Sequence, residues 1–262
     1  MSNGCNALWT GEASEIVEHL LQEVITQREL GGDIDDPLTD KIKRCHEITS
    51  GQNIFLSHVL PRESEIQKKI SSATLADPIL RSASFMLSGH LVGELLKMVA
   101  EMTGAKTILE IGTFTGYSAV TLADTSFCEE LVTLDNNPYC EEFLERQLKG
   151  TRLEEKIRVV IGHALDSLQK LRDEGKSFDM VFIDSNKTEY LDYYKCILDN
   201  NLLNARGVIL CDNIMWGSDT FMDQSSPIGR ALHRFVEFVK TDDRVDQMVF
   251  PLRDGVMLIR SK

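Results

Sequence analysis

Residues 108–118 read ILEIGTFTGYS, an apolar run that ends in an acid and passes into a turn with Gly112 and Gly116 four positions apart. Strand-like runs recur at 107–111, 131–135, 157–161, 178–184, 207–212, 246–250 and 255–259, with helical stretches between the first five and another at 227–240. Short apolar strands alternating with helices predict an α/β fold, doubly wound and Rossmann-like, whose mostly parallel sheet is covered on both faces. The last two runs are separated only by PLRD (251–254), too short for a helical crossover, so one of them must run antiparallel. Upstream, PRESEIQKKI (61–70) is expected to start a helix with Pro61 in its first turn, and residues 88–104 to run from a Ser88 cap to a Gly104 stop.

Composition excludes several classes of function. The chain has 262 residues, 42% hydrophobic and 26% charged, as in a soluble globular protein. A formal net charge of −13 with no basic patch opposes duplex nucleic acid and anionic membrane as partners. Residues 1–60 carry four Lys and Arg against ten Asp and Glu. Within them, 14–30 set Ile16, Leu20 and Val24 beside Leu21 and Ile25 on one helical stripe, which GGDIDDP (31–37) interrupts. The division expected is an acidic helical extension over 1–60 and a catalytic domain over 61–262. The start of the chain has no basic n-region or apolar h-region, so the expected compartment is the cytosol. The six cysteines form no CxxC pair and read as reduced thiols.

In an open parallel sheet, ligands bind beyond the carboxyl ends of the strands. Polar residues collect at those ends here: Glu110 and Gly112, Asp135, His163, Asp184, then Asp212 and Asn213. The glycine spacing is neither a P-loop, which needs GK[ST], nor a G-x-G-x-x-G dinucleotide fingerprint. An acid two residues before the first glycine suits a cationic ligand, such as the amino group and sulfonium of S-adenosylmethionine. Asp135 is placed to accept hydrogen bonds from ribose hydroxyls.

Residues 61–262 resemble the cation-dependent class I O-methyltransferases, the group of caffeoyl-CoA O-methyltransferases and, more distantly, animal catechol O-methyltransferase. The resemblance is carried by PRESE (61–65), MLSGHLVGELL (86–96), LEIGTFTGYSA (109–119), GHALDSL (162–168), FIDSNKTEYLDYY (182–194), CDNIMW (211–216) and PLRDGVMLIR (251–260). It implies a seven-stranded sheet with an antiparallel strand in the C-terminal hairpin, and a homodimer. It also implies cofactor contacts from Met86, Ser88, Glu110, Gly112, Phe114, Tyr117, Ser118, Asp135, His163, Ala164 and Asp184. Taken alone, Met86 also fits as core filler and Ser88 as a helix cap.

Asp184, Asp212 and Asn213 form a hard, all-oxygen donor set of the kind Mg2+ prefers, with Mn2+ or Ca2+ as substitutes. Two aspartates capping the following helices are the simpler structural reading, but the DxxK and DNxxW pattern favours a metal. A phenol with pKa near ~10 is a poor nucleophile at neutral pH, and a chelating cation favours its ionised form. Lys187, three residues after Asp184, is then the candidate general base. Trp216 reads either as acceptor wall or as core packing. The stretch GSDTFMDQSSPIG (217–229) contains no Lys or Arg for the phosphates of a CoA thioester, so the expected acceptor is a smaller catechol-like or hydroxyphenolic molecule. One departure from the family is Asn186, where plant members often carry an acid. A tRNA hydroxyuridine acceptor would keep the fold, but the acidic balance argues against it. A non-catalytic adenosylmethionine-binding protein would have no need of Asp184, Lys187, Asp212 and Asn213 together.

Overall fold

The computed structural model describes residues 13–30, 37–222 and 225–262. Its centre is β1 (Thr107–Ile111), flanked in parallel by β2 (Glu130–Asp135) and β4 (Phe178–Ile183). Outside these lie β3 (Ile157–Ile161) and β5 (Leu203–Cys211), also parallel. The full order is β3-β2-β1-β4-β5-β7-β6. Of the hairpin strands, β7 (Val256–Ser261) inserts antiparallel between β5 and β6 (Val245–Phe250). The expected antiparallel strand is therefore β7.

β5 starts four residues before the expected 207. The segment 203–206 (LNAR) is short, Arg206 sits at φ 68°, and the β4–β5 register shifts between Phe178 and Met180. Such an irregular entry, followed by Gly207, separates the short Leu203–Ala205 alternation from the apolar run at 208–211 that marks the strand.

Side chains alternate between two cores, as the pleat demands. Leu109, Ile111, Val181 and Ile183 face α7 (Ala164–Asp173), α8 (Tyr190–Asp199) and α9 (Pro227–Thr241), where Leu168, Tyr194 and Phe235 complete the packing. Ile108, Met180 and Phe182 face α3 (Glu65–Ala76), α4 (Gly89–Thr103), α5 (Tyr117–Ala123) and α6 (Pro138–Leu148). Burying a Leu, Ile or Phe side chain of this kind contributes roughly 1.5–3 kcal/mol.

Two helix starts differ from expectation. α3 begins at Glu65, because Ser64 Oγ accepts from Gln67 N–H at 3.3 Å while Gln67 Oε1 accepts from Ser64 N–H at 2.8 Å. This capping box fixes the start and leaves Pro61 outside the first turn. Ser88 precedes α4 but its hydroxyl caps no backbone N–H. It points instead toward Asp184 Oδ2, 3.5 Å away.

Ahead of α3, α1 (Ala13–Leu30) packs against α2 (Pro37–Val59). On the expected stripe Ile25 is buried, whereas Leu20 and Val24 are exposed. The amphipathic pattern thus has only part of its apolar face covered within the chain. Residues 31–36 of the expected break lie outside the described residues. Among the described residues no helix is long and apolar enough to cross a membrane, and Cys45, Cys128, Cys140, Cys196 and Cys211 are free thiols.

Candidate functional site

The strand order reverses at β1/β4, and a cavity of about 940 Å3 opens beyond the carboxyl ends of the strands there. This is the crevice position of a doubly wound sheet. The floor is the turn after β1. Gly112 has φ 108°, and a Cβ on it would lie 2.0 Å from the backbone oxygen of Asp184. Only glycine lets the ends of β1 and β4 approach this closely.

Asp135, at the end of β2, holds that turn. Its Oδ2 accepts from Thr113 N–H at 3.1 Å and Phe114 N–H at 2.9 Å, and its Oδ1 from Asn137 N–H at 2.9 Å. A carboxylate offers about four acceptor positions, so capacity remains for a further donor in the cavity. Glu110 lies beneath the floor with no exposed surface. Its Oε2 accepts from Thr133 Oγ1 at 2.5 Å, and Oε1 has no partner among the described residues. Burial pushes its carboxyl up to about 8, partly offset by the Ser118 and Thr133 hydroxyls.

The other half of the cavity is built by the ends of β4 and β5. The Tyr190 hydroxyl lies 3.0 Å from the Asp212 carbonyl oxygen and 3.1 Å from that of Ile183, clamping the two strand ends together. Lys187 Nζ donates to Asp184 Oδ1 at 2.6 Å and lies 5.2 Å from the centre of the Tyr190 ring. Asp212 is buried, and its pKa is raised by that burial and then by the charge of Asp184. Asn213 follows at φ 55° and Trp216 at φ 46°, left-handed positions that turn this loop along the cavity wall. Trp216 both lines the cavity and packs against the core on the α7–α9 face.

Met86, Ser88, Gly112, Phe114, Tyr117, Ser118, Asp135, Asp184, Lys187, Asp212, Asn213 and Trp216 all line this one cavity. Three expected contacts do not. Glu110 is sealed beneath the floor, while His163 and Ala164 follow β3, the outermost strand, two places from β1. His163 Nε2 lies 3.3 Å from Glu189 Oε1 instead. Sequence reasoning missed Leu80 and Phe85 before α4, Ile228 at the start of α9, and Arg253 and Asp254 in the β6–β7 turn. Nothing in their local sequence marks them, because they reach the cavity from distant elements.

The donor set can accommodate a hard cation. Among the described residues no three His, Cys, Asp or Glu side chains gather as a metal cluster. What gathers is two carboxylates and an amide, with the two acids close enough to oppose each other's ionisation. A divalent cation relieves such opposition, and partly hydrated Mg2+ sites need only one or two protein carboxylates.

A seven-stranded, Rossmann-like sheet with a cavity at its switch point is the architecture of the class I S-adenosylmethionine-dependent methyltransferases. Residues 57–262 match the O-methyltransferase family, and the chain belongs to it. It is similar to the caffeoyl-CoA O-methyltransferase of Stellaria longipes, 29% identical over 222 residues that cover 80% of this chain and 88% of the relative. The caffeoyl-CoA O-methyltransferase 3 of Nicotiana tabacum is 29% identical over 223 residues, with 80% and 88% covered. Among solved structures, the SAH-bound Podospora anserina methyltransferase PaMTH1 is 27% identical with a TM-score of 0.71, covering 82% of this chain and 96% of its own. The O-methyltransferase TomG of Streptomyces achromogenes, solved in complex with SAM, is 28% identical with a TM-score of 0.67, covering 81% and 96%.

Proposed function

We propose that this protein transfers a methyl group from S-adenosylmethionine to a hydroxyl of a catechol-like or hydroxyphenolic small molecule, with a divalent cation at Asp184, Asp212 and Asn213 and Lys187 as general base. The observation that carries this reading is the half-buried Asp184–Lys187 pair, 2.6 Å apart, sharing a cavity with Asp212, Asn213 and the Gly112 turn. The relatives' names and the SAH and SAM complexes of PaMTH1 and TomG support it.

When bound, S-adenosylmethionine supplies an electrophilic methyl on a sulfonium sulfur. A bound Mg2+ or similar cation favours the ionised form of a chelated hydroxyl. The chain's own groups supply the rest. Glu110, sealed beneath the Gly112 turn, places a buried carboxyl under the floor, whose charge favours a positively charged amino group above it. Asp135 keeps acceptor capacity for ribose hydroxyls while it fixes the turn. Lys187 Nζ receives the acceptor's hydroxyl proton. Trp216 and Ile228 give the cavity an apolar wall that orients an aromatic ring and excludes water. Holding nucleophile and methyl group in line contributes up to about 7–11 kcal/mol of barrier reduction.

The same reading takes residues 61–262 as the catalytic domain and 1–60 as an extension, in a cytosolic homodimer that acts on small molecules rather than nucleic acid or membrane. The net charge of −13 supports the latter exclusion. Methylation of catechol by the purified protein with S-adenosylmethionine and Mg2+, followed by mass spectrometry, tests the proposal. No methylated product with any divalent cation would refute it.

A further inference from the structure

Tyr117, the first residue of α5, lines the cavity and is itself buried. Gly93 of α4 lies against its ring, where an added Cβ would come within 3.3 Å of Cε1. The Tyr117 hydroxyl donates to Glu63 Oε1 at 2.5 Å, and Glu63 itself does not line the cavity. Burial first, and then the bond to Glu63, hold this hydroxyl well above its ordinary pKa, so it stays a proton donor.

The other end of the same residue is tied to the same segment. Tyr117 O accepts from Thr121 Oγ1 at 2.7 Å, and that oxygen accepts from Gln67 Nε2 at 2.8 Å. Gln67 Oε1 in turn accepts from Ser64 N–H at 2.8 Å, and Ser64 follows Glu63 in the chain. A closed circuit of hydrogen bonds thus runs from the hydroxyl of Tyr117 to its own carbonyl by way of residues 63–67. Every member uses a role its chemistry permits: Thr121 Oγ1 donates once and accepts once, and both ends of the Gln67 amide are engaged. Gln67 and Thr121 are buried, so a broken member would leave a desolvated polar group without a partner. His90 Nε2, 2.6 Å from Pro61 O, fixes the same segment to α4. The capping box that starts α3 therefore also anchors one wall of the cavity.

The last torsion of an aromatic side chain is broad, so a bond at the far end of the ring decides its tilt. A wall fixed in advance needs no ordering when a ligand arrives. We propose that Glu63 and Gln67 are positioning residues that hold Tyr117 in the wall of the S-adenosylmethionine site, so that cofactor affinity depends on a segment outside the cavity. This rests on the cofactor half of the proposed function and adds to it residues that touch no ligand.

Calorimetry of S-adenosylhomocysteine binding to the full chain tests this with Glu63→Ala, Glu63→Gln, Tyr117→Phe and the double variant Glu63→Ala/Tyr117→Phe, with melting temperatures measured in parallel. Glu63→Ala leaves the buried hydroxyl without its acceptor, and affinity should fall about threefold to tenfold. Tyr117→Phe should lose a similar factor, and the double variant no more than the larger single loss, because both changes break one bond. Glu63→Gln keeps an acceptor oxygen and should restore affinity to within about twofold of the parent. A lower melting temperature with unchanged affinity in Glu63→Ala would make the circuit purely structural and overturn the proposal. Losses that add in the double variant, or a Gln variant as weak as the Ala one, would overturn it too, since a single shared bond produces neither. Should Glu63→Ala fail to fold, Tyr117→Phe decides: weakened binding supports the assignment and unchanged binding overturns it. No binding of S-adenosylhomocysteine by the parent overturns the cofactor reading itself and this assignment with it.

Discussion

Lys187 Nζ stands 2.6 Å from Asp184 Oδ1, three residues away, with Lys187 only 8% exposed. The pair spans the turn between β4 and α8, so a candidate base and a candidate metal ligand are delivered by a single short segment. Removing the lysine should leave the oxygen donors intact. Lys187→Ala is expected to keep Mg2+ affinity, measured calorimetrically, while kcat falls about 10²–10⁴-fold, most severely below the pKa of the acceptor hydroxyl. Equal loss at every pH would show that the lysine does not take the proton.

Asp212 carries its charge at a cost, because it is buried beside Asp184. Asp212→Asn keeps the shape and removes the opposition. The metal-free variant should therefore melt higher than the parent, by about 2–4 °C for each ~1 kcal/mol relieved. It should also lose most methyl transfer while still binding S-adenosylhomocysteine. EDTA should abolish the parent's activity, and Mg2+ or Mn2+ should restore it. Full turnover in EDTA, with metal content checked, would remove the cation from the mechanism.

Glu110 predicts a pH dependence whose sign is fixed. Its folded-state carboxyl is raised from 4.5 to about 8, so the folded protein holds a proton that the unfolded chain releases. Its contribution to stability is complete below about 4.5 and is lost as pH rises through about 8. Glu110→Gln should flatten the stability profile across that window in denaturant titrations. Binding of S-adenosylhomocysteine, whose amino group is cationic, should release up to about one proton near pH 7, seen as buffer-dependent heats. Heats independent of the buffer would separate Glu110 from the ligand.

Asp135 supports the Gly112 turn through three backbone N–H groups. Asp135→Ala should weaken S-adenosylhomocysteine binding by about 1–3 kcal/mol and also lower stability, because those donors lose their partner. Gly112→Ala should be worse, at about 3 kcal/mol or more, since its Cβ would overlap the Asp184 carbonyl. Unchanged affinity in calorimetry with the Asp135 variant would take that residue out of the site.

The helical pair α1–α2 leaves Val17, Leu20, Val24 and Ile48 exposed, with Ile48 57% accessible. Such a face gains by meeting the acceptor entrance or a second copy of the chain. Deleting residues 1–50 should change acceptor KM or the mass in solution more than the affinity for S-adenosylhomocysteine. Light scattering and kinetics identical to the full chain's would contradict this.

Most of the frame was readable because β1, β2, β3 and β4 are short apolar runs whose ends are marked by Glu110, Asp135, His163 and Asp184. Period and punctuation are local properties, so residues 107–184 and 227–240 could be placed without knowing their neighbours. Likewise Asp184 and Lys187 lie three residues apart, and Asp212 is adjacent to Asn213, so each pair is visible in the chain as written. Where a start depended on side-chain bonding, as with Ser64 and Gln67 at α3, the sequence misled, since Pro61 was the stronger local signal.

By itself, the sequence determined the alternation of strands and helices, the acid and glycine turn after β1, and the donor residues at the strand ends. Which residues meet was decided only by the tertiary structure. Insertion of β7 between β5 and β6 carries Arg253 back over the cavity to Ser88, across 165 residues of chain. Close approach of β1 and β4 seals Glu110 beneath the floor, whereas the outermost place of β3 keeps His163 away from it. Strand order is set by how two apolar faces are covered at once, a property of the whole packed sheet that no local window of sequence contains.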